Sequence, residues 1–171
     1  MNDAINHLSR EELLQLLEMD SKNWLAIDGV WFQSVESKFG MDEAIYHDCE
    51  AWKRFTAAEA RRIKMFLGLG EQPGLEGLAR ALPLRISDRN NRFEIKIRGN
   101  ELIYRVLDCR VQTARGRKGM PYHPCKCVGE LEHEGFAKTI DSRISCRCLS
   151  CYPEITDESC ACSWAFTLNE A

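Results

Sequence analysis

The stretch that decides the fold is RFEIKIRGNELIYRVL, residues 92–107. In its first half Phe93, Ile95 and Ile97 alternate with charged residues, and this period of two is typical of a strand with one buried face. The dipeptide Gly99-Asn100 separates two such runs and is a signal for a two-residue hairpin turn. The stretch therefore predicts two antiparallel strands, and we expect the second to continue to about residue 112.

Upstream of this hairpin the chain shows helical patterns instead of alternation. Ser9 and Glu12 form a capping box, the pattern that begins a helix, and Thr56 and Glu59 repeat it. Apolar residues at helical spacing and glycines suited to helix ends complete the pattern. We predict four to five helices, which cover about residues 9–19, 21–40, 42–55, 56–70 and 74–82.

Downstream of the hairpin the sequence predicts a basic loop, one helix and two more strands. The helix begins at Cys125 and runs to about residue 140, and strand-like runs cover residues 143–149 and 160–168. Helices first and a sheet afterwards indicate the α+β class. We expect a helical N-terminal half followed by a mostly antiparallel sheet with one inserted helix. The sequence predicts a single domain over residues 1–171, with a helical part (1–82) and a sheet-containing, cysteine-rich part (83–171).

The composition indicates an ordinary globular protein. Of 171 residues, 44% are hydrophobic and 29% are charged, with a net charge of −3. This charge argues against a nucleic-acid partner, since such proteins usually carry a basic excess. We find neither a signal-peptide pattern nor an apolar run of the roughly 18–20 residues that cross a bilayer, so we expect no membrane partner and a cytoplasmic location. Oligomeric state stays open, with a homodimer as one alternative.

Nine cysteines are the most informative feature, and eight of them follow residue 108. In a reducing compartment dense cysteine favours metal binding or redox chemistry over structural disulfides. Two closing strands would bring C-x2-C near C-x-C, and four thiolates suit zinc. We predict zinc ligands at Cys148, Cys151 and Cys162, with either Cys109 or Cys160 as the fourth; an iron–sulfur cluster is a less favoured alternative. Redox-active thiols and inert packing also stay open.

A second hypothesis concerns Cys125, at the start of its predicted helix. A helix N-terminus and nearby cations lower a thiol pKa and make the sulfur nucleophilic. His123 and His133 are the candidate bases, so a cysteine hydrolase is the alternative function. The alternative role for these three residues is structural: a partly buried cysteine beside two solvated histidines.

Basic residues cluster around the loop before this helix. Together with free backbone N–H groups at a helix start, such residues can bind a carboxylate or phosphate, although a solvated loop is an equal alternative. The candidate anion-binding residues are Arg110, Arg115, Arg117, Lys118 and Lys126.

Several segments together resemble a family of uncharacterised cysteine-rich prokaryotic cytosolic proteins. They include DCRVQTARGRKG (108–119), PCKCVG (124–129), GFAKTIDSRI (135–144), CLSCYP (148–153) and CSWAFTL (162–168), with NWLAIDGVWFQSVESKFG (23–40) and ARRIKMFLGL (60–69) upstream. The resemblance spans nearly the whole chain and implies no activity. On its pattern the shared cysteines are Cys109, Cys125, Cys148, Cys151 and Cys162.

The order of strands, helix and cysteines is also distantly similar to two other groups. One is the 4-vinyl reductase domain, grouped with haem-NO-binding-like small-ligand domains. It implies an α+β fold with a pocket between helices and sheet for a small, often apolar, molecule. The other is the L-2-amino-thiazoline-4-carboxylic acid hydrolase-like proteins, which imply a hydrolase. Both likenesses indicate architecture more than chemistry. We therefore expect a small-molecule ligand as the partner.

Overall fold

A computed structural model describes residues 3–170. Its helices are α1 (Asp3–Asn6), α2 (Arg10–Phe39), α3 (Met41–Phe66), α4 (Gly74–Ala81), α5 (Arg110–Arg117) and α6 (Lys126–Ile140). Its strands are β1 (Arg92–Arg98), β2 (Glu101–Asp108), β3 (Ile144–Cys151) and β4 (Cys162–Leu168). The α+β class, with a helical first half and an antiparallel sheet after it, is confirmed.

Two long helices replace the four predicted between residues 9 and 70. The capping box at Ser9 is confirmed, since the Ser9 hydroxyl accepts from the Glu12 amide and the Glu12 carboxylate accepts from the Ser9 amide. The second capping box is wrong. Thr56 is buried in the middle of α3, and its hydroxyl donates to the Glu132 carbonyl of α6 at 3.0 Å. Local pattern cannot distinguish a capping threonine from one that a neighbouring helix buries.

A single residue separates α2 from α3. Gly40 has a φ of 92°, in the left-handed region that residues with a Cβ rarely adopt. Its amide donates to the Glu36 carbonyl and closes the end of α2. The reversal at Gly40 places the C-terminal half of α2 beside the N-terminal half of α3, where both helices border the site described below.

The sheet is antiparallel throughout, in the order β1-β2-β4-β3. The hairpin turn at Gly99-Asn100 and the pairing of the two closing strands are confirmed. The predicted continuation of β2 to residue 112 is wrong, because α5 begins at Arg110. Two helices, α5 and α6, are thus inserted between β2 and β3, where the sequence predicted one.

The helices α4 and α6 pack on one face of the sheet, and α3 packs on α6. Buried side chains of alternate β2 positions, Leu102, Tyr104 and Val106, meet Trp164 and Phe166 of β4 in the core. The same core includes Ala60 and Ile63 from α3 and Phe136 from α6, so helical and sheet-containing parts share one buried cluster. No helix within residues 3–170 combines the length and apolarity needed to cross a membrane.

Gly129 allows α6 to approach the sheet closely. A Cβ at Gly129 would lie 2.6 Å from Cζ2 of Trp164, which is fully buried and cannot move aside cheaply. We expect Gly129→Ala to lower the free energy of unfolding by about 1–3 kcal/mol, the usual cost of overpacking a core. Urea denaturation measures this. Gly116→Ala in α5, whose Cβ would make an ordinary 3.5 Å contact with Tyr122, is the control and should not destabilise.

Candidate functional site

A cavity of about 450 Å³ lies between α2, α3, α5 and α6 and the ends of β2, β3 and β4. Most of its wall is apolar, with Phe32, Trp52, Val106, Val128 and Trp164 among the lining side chains. The volume suits a small organic molecule, and concave, mainly apolar cavities with a few polar groups are the usual form of ligand sites. Two polar groups of side chains interrupt this wall.

The first polar group is a cysteine, a histidine and an aspartate. Cys125 is the residue that caps the N-terminus of α6, and His123 lies two residues earlier on the same loop. The His123 imidazole is near enough to lower the pKa of the Cys125 thiol, and its buried Nδ1 has no hydrogen-bond partner among the described residues. On its other side the imidazole Nε2 lies 3.1 Å from Oδ2 of Asp48, on α3. This order of thiol, imidazole and carboxylate is that of an activated nucleophile.

Two further side chains hold the thiol in place. Gln112 of α5 accepts from the His123 amide and donates to the His123 carbonyl, and its amide nitrogen lies 3.6 Å from the Cys125 sulfur. Cys151, at the end of β3, has its sulfur 3.5 Å from the sulfur of Cys125. Side chains from α5 and β3 therefore converge on the sulfur atom at the start of α6.

The environment of Cys125 favours the thiolate. The contact with Cys151, the nearby charged imidazole of His123 and the Gln112 amide lower the pKa of Cys125 to about 5, against the opposing effect of burial. Burial alone would lower the pKa of His123, but its bond to Asp48 and the nearby Cys125 sulfur outweigh this and raise the pKa to about 9. At neutral pH the two residues form a thiolate–imidazolium pair. The positive end of the α6 dipole adds to this effect.

The neighbouring thiols of Cys151 and Cys109 are kept protonated. The Cys151 pKa is raised because its proton is shared with Cys125 and Cys162, and burial raises the pKa of Cys109 to about 12. Asp28 of α2 also lines the cavity, and burial beside Asp48 raises its pKa to about 6. The thiolate is therefore concentrated on Cys125.

The second polar group surrounds Arg85, a fully buried residue that follows α4. Its guanidinium forms ion pairs with Glu59 of α3, Asp88 and Glu132 of α6. Burial raises the pKa of Glu132 to about 7 despite the nearby arginine. Asp88 and Glu132 line the cavity, so the second polar group is also part of its wall.

His133, the other predicted base, belongs to this second group. Its Nδ1 lies 3.3 Å from the Arg85 guanidinium, and its ring packs on Trp164 at 4.4 Å between centroids. Burial and the charge of Arg85 lower its pKa well below the usual range, so the ring is neutral. The geometry thus pairs Cys125 with His123.

The predicted zinc ligands are distributed over three places. Cys109, Cys151 and Cys162 line the cavity, whereas Cys148 lies with Lys126 on a groove between α6 and β3. Cys160 precedes β4, and its sulfur lies 3.5 Å from Oδ2 of Asp157. Within residues 3–170, no three His, Cys, Asp or Glu side chains are grouped as a metal ion would require. The zinc site stays a prediction from spacing.

Two of the five predicted anion-binding residues already have carboxylate partners. Arg115 is buried and bonds both carboxylate oxygens of Glu36 on α2, at 2.8 and 2.6 Å, and Lys126 pairs with Glu154 at 2.6 Å. Arg110 and Lys118 line the cavity, and Arg117 is exposed on α5. The basic run is therefore divided between carboxylate ion pairs, the cavity wall and the exposed surface of α5.

Sequence reasoning missed Asp48 and Gln112. Asp48 lies at helical spacing between the buried residues Ala44 and Trp52, so an acidic group on an apolar stripe was a usable signal. Gln112 offered none, because it fell at the end of a predicted strand. Its role depends on α5, which the alternating pattern of β2 concealed.

Comparison with known proteins gives a family and no activity. No curated protein and no solved structure matches the chain. One family model does, and it covers residues 6–168, nearly the whole length. The chain belongs to DUF6125, a family of unknown function.

Proposed function

We propose that the protein binds a small, mainly apolar molecule and hydrolyses it with Cys125 as the nucleophile. The observation that carries the proposal is the chain of Cys125, His123 and Asp48 on the wall of the cavity. The apolar cavity supports the binding half of this proposal, and the polar side chains on its wall support the hydrolytic half.

The residues present suit a two-step acyl transfer. The Cys125 thiolate attacks an electrophilic carbonyl carbon and forms a thioester. The bond to the leaving group breaks, and the departing group takes the proton of the His123 imidazolium. Water then attacks the thioester with neutral His123 as the base, which releases the acid and restores the ion pair. Asp48 orients the imidazole and stabilises its charge, so it is a positioning residue.

Acetylation by 4-nitrophenyl acetate tests this proposal directly. We expect a burst of 4-nitrophenolate of about one equivalent and one acetyl group on Cys125, located by peptide mass spectrometry. Cys125→Ser should lose the burst. Cys127→Ser is the matched control, since this exposed cysteine lies on the same helix outside the cavity, and it should keep the burst. Acetylation of other cysteines in preference to Cys125 would contradict the proposal.

His123→Gln should make Cys125 harder to ionise. Loss of the imidazolium removes the positive charge beside the thiol, while the burial that disfavours the thiolate stays. The midpoint of the pH profile of Cys125 alkylation should rise by roughly 1–3 units, as for other groups deprived of a close counter-charge. His47→Gln, at an exposed histidine paired with Glu43, is the control. An unchanged midpoint in His123→Gln would remove His123 from the mechanism.

A further inference from the structure

Cys125 has a second partner besides His123. Its sulfur lies 3.5 Å from that of Cys151, and both cysteines line the cavity. The backbone holds the two segments together independently of these side chains, since the Lys126 amide donates to the Tyr152 carbonyl at 3.1 Å. The residues that follow the two cysteines are thus hydrogen-bonded neighbours.

This arrangement is close to that of a disulfide. A disulfide bond is about 2.05 Å long, so the two sulfurs need to approach by roughly 1.5 Å, a distance that side-chain rotation supplies. Cys151 is buried, with 1% of its surface exposed, and is shielded from thiols in solution. Cys162, opposite Cys151 across β3 and β4, is already engaged by the Trp164 indole at 3.4 Å. Among the cysteines that line the cavity, Cys125 and Cys151 are therefore the pair best placed to form a disulfide.

We propose that Cys125 and Cys151 form a redox couple that reduces a small organic hydroperoxide bound in the cavity. This activity goes beyond the hydrolysis proposed above, although it uses the same nucleophile. The apolar wall favours an organic hydroperoxide as the substrate class. A thiolate beside an acid that can protonate the leaving oxygen, and a second thiol within reach, are the groups that such a reaction requires.

The reaction proceeds in two balanced steps. The Cys125 thiolate attacks the terminal peroxide oxygen, the O–O bond breaks, and the alkoxide takes the His123 proton and leaves as an alcohol. Cys125 is then a sulfenic acid. The Cys151 sulfur attacks the sulfenyl sulfur, the S–O bond breaks, and water leaves with the Cys151 proton. Two thiols supply the two electrons, and a small thiol such as dithiothreitol restores them.

Disulfide mapping tests the couple. The sulfurs of Cys49 and Cys127 lie 4.0 Å apart and could form a disulfide of their own. The experiment therefore uses the Cys127→Ser protein, which excludes that disulfide. We expect one equivalent of cumene hydroperoxide to be consumed per chain and a Cys125–Cys151 disulfide to appear in peptide mass spectra. A disulfide between other cysteines, or Cys125 oxidised to sulfinic acid with Cys151 still free, would overturn the proposal.

Substitution of the second thiol provides an independent measurement. Cys151→Ser should stop the reaction at the sulfenic acid, which dimedone traps on Cys125, while Cys162→Ser should still form the disulfide. Circular dichroism checks that each variant folds. The disulfide mapping described above keeps Cys151, so that result does not depend on a substitution in the core. If reduced wild-type protein acetylates on Cys125 yet forms no Cys125–Cys151 disulfide, the redox couple alone is wrong. If neither occurs, both proposals fail.

Discussion

Iodoacetamide is expected to alkylate Cys125 at pH 5.5 about 20 to 60 times faster than it alkylates a free thiol such as N-acetylcysteine. The pKa of Cys125 is lowered from an ordinary value of 9.0 to about 5. At pH 5.5 most of Cys125 is thiolate, whereas roughly 1 in 3,000 ordinary thiols is. The lower basicity of the Cys125 thiolate reduces its intrinsic nucleophilicity by about 40- to 100-fold, so the expected ratio of alkylation rates is about 20 to 60.

The same reasoning predicts that this advantage disappears near pH 7.5. There the gain in thiolate fraction and the loss of nucleophilicity nearly cancel, so a single measurement at neutral pH would miss the effect. The midpoint of the full pH profile is the decisive reading, because restricted access to the cavity slows alkylation equally at every pH. Peptide mapping assigns the label to Cys125, and Cys125→Ser should abolish it. A midpoint between pH 8 and 9 would contradict the thiolate–imidazolium pair.

Replacing Arg85 with methionine should have the largest effect on stability. The substitution leaves Glu59, Asp88 and Glu132 buried without their counter-charge, and breaking one partner of a buried ion pair costs about 3–5 kcal/mol. Urea denaturation at pH 7 measures the loss. Arg92→Met is the matched control, because its ion pair with Asp108 is exposed and such pairs contribute about 0–1 kcal/mol.

The pH dependence of this loss identifies its cause. Burial already raises the pKa of Asp88 and that of Glu132, the latter to about 7. Without the arginine the folded state should bind protons more strongly than the unfolded chain, so the stability of Arg85→Met should increase as the pH falls from 7 towards 4.5. A loss that stays constant over this range would indicate that Arg85 acts through packing, for example on the Phe136 ring at 4.9 Å.

The sequence predicted the elements whose pattern is local. Alternation around residues 92–107 predicted the first hairpin, apolar runs predicted the closing strands, and proline followed by Cys125 marked the start of α6. Serine at position 9 predicted the beginning of α2. Each of these signals depends on residues within a few positions of one another, and period and capping chemistry are visible at that range.

Helix boundaries within 9–70 and the end of β2 were decided by contacts distant in sequence. Thr56 and Glu59 have the sequence pattern of a helix start. In the structure, however, the Thr56 hydroxyl donates to α6 and the Glu59 carboxylate pairs with Arg85. The alternating pattern after Asp108 predicted a longer β2, but α5 begins at Arg110 instead. Within α5, Gln112 forms hydrogen bonds with the backbone of His123. Tertiary partners override local preference in such places.

The sequence by itself determined the fold class, the hairpins and α6, because these follow from period, turn chemistry and helix-start signals. It also predicted a reactive thiol at Cys125, from the electrostatics of a helix start. The tertiary structure alone decided which groups act on that thiol. Asp48 lies 75 residues before His123, and Cys151 lies 26 residues after Cys125. Folding brings them within hydrogen-bond distance, and the pKa of a thiol depends on distances in space, which spacing along the chain does not encode.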